Sequence, residues 1–376
     1  MERRTLEQWK LIVNQLGELP VKITNEWIDD IEKSDKGEDF WRWGFCYLDL
    51  SKCDLSGLDE KHTASLTFNS GTVWPNKEKM PKGFNPAKII ERGKTPMLGI
   101  EKLHKQGMDG SGITVAVIDS GFQSENHVEY KGSNIEVVNL FGEDISYHFH
   151  ADGVLSNLCG QNIGVAPKAR VIHYNSMPGG PNFTQQHLAA LKDILGRVKT
   201  GEKIRAVNLS TTLGFNEDLK NAKNGEEYQR MLKPLLKPFE PLLKELQERG
   251  CEVVDSRRFG QDFTCCDIDP AKTGGFCKPS WFRTLKEDKY KELVSFACGG
   301  KVVPEFTNNT GYKYEQVSCY SWTIPQAVGM YALCLQQNPD LTWDKFAQIS
   351  KNTSKLLESG VRIAQPQSII KEVKRL

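Results

Sequence analysis

Gly112-Ile113-Thr114-Val115-Ala116-Val117-Ile118-Asp119-Ser120-Gly121 decides how this chain is read. Residues 113–118 form a nearly continuous apolar run rich in β-branched side chains, bounded by Gly112 and Gly121. A strand apolar on both faces belongs inside a parallel sheet covered on both sides. Three more runs of this kind follow: Ala169 to His173, Ala206-Val207-Asn208-Leu209-Ser210, and Cys251-Glu252-Val253-Val254. Helical patterns separate them. Leu188, Leu191, Leu195 and Val198 recur at helical spacing, with Thr184 placed to cap the start. Residues 226–249 also read as helical, broken or kinked at Pro234, Pro238 and Pro241. Alternating strands and helices imply an α/β fold, with a mainly parallel sheet flanked by helices. In such sheets the active site lies beyond the carboxyl ends of the strands.

Upstream the pattern differs, which divides the chain into an N-terminal extension (1–85) and a main domain (86–376). Leu6, Trp9, Val13 and Leu16 mark a short amphipathic helix, and a second, polar helix is expected over 24–33. Leu48-Asp49-Leu50-Ser51-Lys52 and Cys53-Asp54-Leu55-Ser56-Gly57 resemble pentapeptide repeats with Leu50 and Leu55 pointing inward. Two units cannot close a solenoid, and a strand followed by a turn accounts for them equally well. Residues 75–97, with Pro75, Pro81, Pro86, Pro96 and many lysines, read as an irregular connector.

Composition removes several classes of function. Among 376 residues, Lys+Arg is 49 and Asp+Glu is 48, a net charge of +1 that argues against nucleic acid as a partner. No apolar run reaches membrane-spanning length, so no membrane association is expected. Glu7 and Lys10 interrupt any signal-peptide core, and a cytoplasmic location is the expectation. Ten cysteines then read as thiols rather than as a disulfide framework. Cys265, Cys266 and Cys277 are the only local cluster, and without paired CxxC spacing no metal site is expected.

Asp119 stands at the carboxyl end of the first strand, before a glycine that permits a sharp turn. Asp-Ser-Gly is also an ordinary turn. His150 opens the helix-like stretch 150–160, where it is either a rigidly held base or a surface residue. Ser321 opens a long apolar helix with Pro325 in its first turn, as either an N-cap or a nucleophile. Together the three mean more. A weak serine hydroxyl needs a His base, and the base needs a carboxylate to orient it.

On these residues the sequence resembles the subtilisin-like serine proteases. Gly110 through Gly121 is similar to the family's Asp block. His150 through Gly160, with Gly164-Val165-Ala166-Pro167, is similar to its His block. Ser321 through Gly329, with Asn338-Pro339-Asp340, is similar to its Ser block. The likeness covers roughly residues 98–358 and implies a subtilisin-like fold with Asp119, His150 and Ser321 as catalytic residues. His150 fits the register better than His148. The implied activity is selective processing of a peptide or protein substrate through an acyl-enzyme. The runner-up is a catalytically impaired module that only binds.

The resemblance also places Arg258 where the family has its oxyanion-hole Asn, beside the backbone N–H of Ser321. It makes Ser210-Thr211-Thr212-Leu213-Gly214 the substrate-binding strand and Val254-Asp255-Ser256 the opposite wall of the P1 pocket. Arg257 and Arg258 then favour an acidic P1 residue, and the insertion 215–249 restricts access at this rim. Residues 1–85 read either as a retained cap or docking module, or as a prodomain cut within 75–97. Many family members bind calcium, but no carboxylate-rich loop supplies a site here, so no cofactor is predicted. Oligomeric state is not legible.

Overall fold

The structure, a computed structural model, describes residues 18–34, 43–140, 149–176, 183–215, 217–268, 276–278, 291–297, 301–305, 308–315 and 320–376. The helix expected around Leu6–Leu16, as well as His148, lies outside them. The strands are β1 (Phe68–Asn69), β2 (Thr114–Asp119), β3 (Asn134–Val138), β4 (Arg170–Asn175), β5 (Ile204–Asn208) and β6 (Glu252–Val254). They continue with β7 (Phe263–Ile268), β8 (Phe276–Lys278), β9 (Val294–Ala297), β10 (Lys301–Pro304), β11 (Tyr312–Glu315), β12 (Lys355–Leu356) and β13 (Arg362–Ile363). The main helices are α1 (Asn25–Lys33), α2 (Pro86–Gly93), α3 (Phe149–Cys159), α4 (Phe183–Lys199) and α5 (Gly225–Leu236). After them come α6 (Glu240–Glu248), α7 (Ser256–Asp262), α8 (Tyr320–Gln337), α9 (Trp343–Thr353) and α10 (Pro366–Val373).

The core is a five-stranded parallel sheet in the order β3-β4-β2-β5-β6. β2 lies at its centre because every residue from Val115 to Ile118 is almost fully buried. Its alternating side chains serve two layers. Val115 and Val117 pack with residues of α3 and α8, including Val154, Leu158, Ala327 and Val328. Ala116 and Ile118 pack on the other face with Leu191 and Ile194 of α4. The strand order reverses direction at β2, and Asp119 sits at its carboxyl end, where such sheets place their ligand crevice.

Two further sheets flank this one. The first is antiparallel, β1-β11-β10, and the second runs β12-β13-β9-β7-β8. β1 supplies its edge from the N-terminal region, with Phe68 opposite Tyr314 and Asn69 opposite Lys313. Ile23, Trp43, Phe45, Leu50 and Phe68 of that region share one apolar cluster with Ile163, Val302 and Tyr314. The two five-residue units repeat one local device. Asp49 Oδ1 accepts the Ser51 N–H, Asp54 Oδ1 accepts the Ser56 N–H, each at 2.9 Å, and Leu50 and Leu55 are buried.

The proline-rich connector is more regular than expected. Pro86 stands in the first turn of α2, where its missing N–H has no helical partner to lose. Asn85 caps that helix by accepting the Lys88 N–H at 3.0 Å. The break expected in 226–249 falls between α5 and α6. Pro234 lies inside α5, and Pro241 stands in the first turn of α6. Cys265 and Cys266 point into different apolar clusters on opposite faces of β7, and the Cys277 side chain is outside the described residues. Among the described residues no helix is long and apolar enough to cross a membrane.

Candidate active site

Asp119 and His150 meet directly. His150 Nδ1 lies 2.7 Å from Asp119 Oδ1. The same oxygen accepts the Ser120 N–H at 2.8 Å and the Ser120 hydroxyl at 3.2 Å. Burial opposes ionisation of Asp119, but the neighbouring charge and hydrogen bond of His150 outweigh it, helped by His173 and the Ser120 N–H. The carboxyl is therefore held below its usual range. An ionised Asp119 makes Nδ1 of His150 the donor, which leaves Nε2 as the basic nitrogen of the neutral ring.

Ser120 does a second job. Its hydroxyl oxygen accepts the Ala151 N–H at 3.1 Å and so ties the first turn of α3 to the end of β2. The Ser120 carbonyl accepts from His173 Nε2 at 3.0 Å. Ser176 fixes the Asp119 backbone by donating its N–H and its hydroxyl to the Asp119 carbonyl, at 2.6 and 2.9 Å. Sequence reasoning had not singled out Ser120 or Ser176. The first lies within Asp-Ser-Gly, which reads as a turn, and the second acts only through the tertiary pairing of β2 with β4.

Ser321 lies in the first turn of α8. Pro325 explains how it is held. Proline has no N–H to return to the carbonyl four residues back. The Ser321 carbonyl therefore lacks its helical donor and instead accepts the Ser210 hydroxyl at 3.0 Å. In return the Ser321 hydroxyl donates to the Ser210 carbonyl at 3.2 Å. This reciprocal bracket joins the helix to the chain leaving β5. The amino end of α8 carries the positive end of the helix dipole, which favours a developing negative charge there.

The two segments expected to line the substrate groove are bonded to each other. Leu209 donates its N–H to Val254 at 3.0 Å, and Ser256 donates to Thr211 at 2.9 Å. The hydroxyls of Thr212 and Ser256 are 2.5 Å apart, and the Leu213 N–H reaches Asp255 Oδ2 at 3.3 Å. Gly214 adopts a φ of +70° and sits against Leu235 of α5, so the 215–249 insertion abuts this rim. A cavity of about 350 Å³ opens behind it, lined by Leu213, Glu240, Leu243, Asp255 and Arg257 among others.

Arg258 does not serve as the oxyanion donor. Residues 256–262 form α7 rather than a loop, with Asp255 as N-cap accepting the Arg258 N–H at 2.9 Å. The Arg258 guanidinium is held by Glu252 at 2.7 Å, Gln261 at 3.0 Å, Asp262 at 3.2 Å, and also by Asp344. Glu252 opens β6, so this cluster sits toward the amino ends of the strands, away from Asp119. The acidic P1 preference loses its basis for the same reason, since Arg257 Nε is paired with Asp255 at 2.8 Å. Arg258→Ala is expected to change turnover less than about threefold while lowering stability by about 1–3 kcal/mol through its abandoned carboxylates. Parallel melting curves and peptide kinetics check this.

A buried acid sits two residues beyond His150. Burial pushes the Asp152 carboxyl up to about 7, against hydrogen bonds from the Ser124 and Gln123 N–H groups. Its Oδ1 accepts Ser124 N at 3.0 Å, and its Oδ2 has no hydrogen-bond partner among the described residues. The unfolded chain ionises near the usual 3.8, so between that value and about 7 the folded protein binds the extra proton. Its contribution to stability is complete below the unfolded value and is lost as pH rises through the folded one. Asp152→Asn should therefore gain stability relative to wild type between pH 5 and pH 8, read from urea midpoints at the two pH values.

No family model matches the chain, and no curated protein matches it. Solved structures do. The structure of prenylagaramide maturation protease PagA aligns with a TM-score of 0.51 at 17% identity, covering 74% of this chain and 99% of that one. The PatG macrocyclase in complex with peptide aligns with a TM-score of 0.51 at 12% identity, covering 73% of this chain and 95% of that one. At such identities the likeness is one of fold. The chain is an α/β protein of subtilisin-like architecture, with its parallel sheet flanked by helices.

Proposed function

We propose that this protein is a serine peptidase that processes peptide or protein substrates through an acyl-enzyme. Ser321 is the nucleophile, His150 the general base and then acid, and Asp119 the orienting carboxylate. The observation that carries the reading is the 2.7 Å contact between His150 Nδ1 and Asp119 at the end of the central strand. The sequence blocks containing these two residues and Ser321 add to it.

In this reading His150 Nε2 takes the Ser321 proton as Oγ attacks the scissile carbonyl. Asp119 stabilises the imidazolium that forms. The tetrahedral oxyanion meets the N–H of Ser321 at the start of α8. Collapse gives the proton to the leaving amine and leaves an ester on Ser321. Water, activated by His150, then releases the acid and restores the hydroxyl. The solved relatives, named as a maturation protease and a peptide-bound macrocyclase, support a peptide as the substrate class.

A fluorophosphonate probe tests the reading directly. An adduct mapped to Ser321 and dependent on His150 supports it. Absence of labelling on folded protein sinks it in favour of a binding module. One observation favours that second reading: the Arg258 side chain expected as an oxyanion donor is held by four other groups.

A further inference from the structure

We propose that the N-terminal region, through Trp43, is a brace for the His150 imidazole, acting by way of Lys313, Glu315 and Trp322. The inference rests on the role of His150 proposed above. It makes these four side chains positioning residues rather than catalytic ones.

Asp119 holds His150 at one ring nitrogen, and Trp322 faces the ring itself. The two ring centroids are 5.2 Å apart with the planes inclined at 33°. Trp322 is only 2% exposed, and its seat is tightly specified. Gly153, one turn along from His150 in α3, leaves the hollow it fills. A Cβ on Gly153 would meet the indole at 2.2 Å. The indole Nε1–H donates to Glu315 Oε2 at 3.1 Å, which fixes the ring's rotation as well as its place. The other oxygen of Glu315 accepts Lys313 Nζ at 2.6 Å.

Lys313 carries the chain of contacts onward. Its ammonium lies 4.4 Å from the Trp43 ring centroid and 4.9 Å from that of Phe149, the residue before His150. Trp43 and Phe149 also meet edge to face, with centroids 5.4 Å apart at 66°. β11, which bears both Lys313 and Glu315, is the middle strand of its sheet and pairs with β1 from the N-terminal region. Phe68 of β1 stacks on Tyr314 at 5.0 Å. The N-terminal region thus supplies a strand beside the charged pair and a ring beneath its cation.

The chemistry of the pair indicates its purpose. A buried Lys–Glu pair gains little stability over apolar side chains of the same volume. What it provides is direction. A carboxylate anchored by Lys313 presents one oxygen to one indole N–H, and apolar packing alone does not set that rotation. The imidazole is then confined between Asp119 and a ring whose own orientation is fixed. Proton transfer to Nε2 depends on such alignment, where a misplacement of about 1 Å costs on the order of 10²-fold.

The test uses the full chain and two readouts. Trp43→Leu, Trp43→Phe, Trp322→Phe and the double variant Lys313→Met/Glu315→Gln are compared with wild type. The His150 imidazole is followed by nitrogen-15 NMR across pH, assigned with His150→Gln. Fluorophosphonate labelling of Ser321 is followed over the same pH range, with kcat and KM on a peptide substrate. Trp43→Leu is expected to slow labelling and lower kcat about tenfold, with KM unchanged. It should also alter the His150 titration, and Trp43→Phe should recover most of the rate. The double variant should stay folded yet show the same altered titration. If the variants lower Tm while the His150 titration and the labelling of folded protein stay as in wild type, the brace is wrong and the contacts are only structural. Should wild type resist labelling altogether, the peptidase reading fails, and the NMR comparison still decides whether Trp43 controls the imidazole.

Discussion

Ser321→Ala is expected to abolish fluorophosphonate labelling and to lower kcat by roughly 10⁶, the scale seen when a nucleophile that acts as one unit with its base is removed. KM should change little, because the hydroxyl contributes little to ground-state binding. The loss should not be a folding effect. The substitution removes one hydrogen bond, from the Ser321 hydroxyl to the Ser210 carbonyl at 3.2 Å. That is worth about 0.5–1.5 kcal/mol. The return bond from the Ser210 hydroxyl uses the Ser321 backbone carbonyl and survives the change. Active-site titration and a melting curve on the same preparation separate the two effects. A variant that retains more than a few per cent of wild-type turnover would falsify the assignment of the nucleophile.

Asp119→Asn is expected to lower kcat by about 10⁴, again with little change in KM. Three donors converge on Asp119 Oδ1: the Ser120 N–H, the Ser120 hydroxyl and His150 Nδ1. An asparagine must either turn its carbonyl oxygen to all three or point its NH₂ at the imidazole and force the other tautomer. The first outcome loses the negative charge that stabilises imidazolium. The second deprives Nε2 of its basic lone pair. The pH–rate profile distinguishes them. Loss of charge lowers the pH at which activity appears, whereas the wrong tautomer flattens activity at every pH. A kcat within tenfold of wild type would assign Asp119 to structure alone.

The architecture was largely legible because its signals are local. A six-residue apolar, β-branched run between two glycines fits a buried strand, and β2 lies at the centre of the parallel sheet. The prolines were harder to read. Pro86 and Pro325 have the same chemistry, yet one initiates α2 and the other sits inside α8, where it frees the Ser321 carbonyl. What a proline does depends on which acceptor it leaves without a donor and on what stands nearby to replace it.

The candidate site divides along the same line. Asp119, His150 and Ser321 stand out in the sequence as candidates because each opens or closes an element, in an order that resembles a known family. Arg258 was misread because sequence register cannot show that Glu252, Asp262 and Asp344 converge on its guanidinium. Ser120 looked like a turn residue until its hydroxyl was seen bridging Asp119 and Ala151.

By itself the sequence determined four of the five strands of the central sheet and the helices that cover them, and it offered three chemically suited side chains, since periodicity and turn chemistry act over a few residues. Only the tertiary structure decided which polar groups share a partner. That choice is made across the fold, as between Ser210 and Ser321 and between Glu315 and Trp322. Burial makes each unpaired polar atom costly, so these long-range pairings settle which side chains are held at His150 and which are drawn away from it.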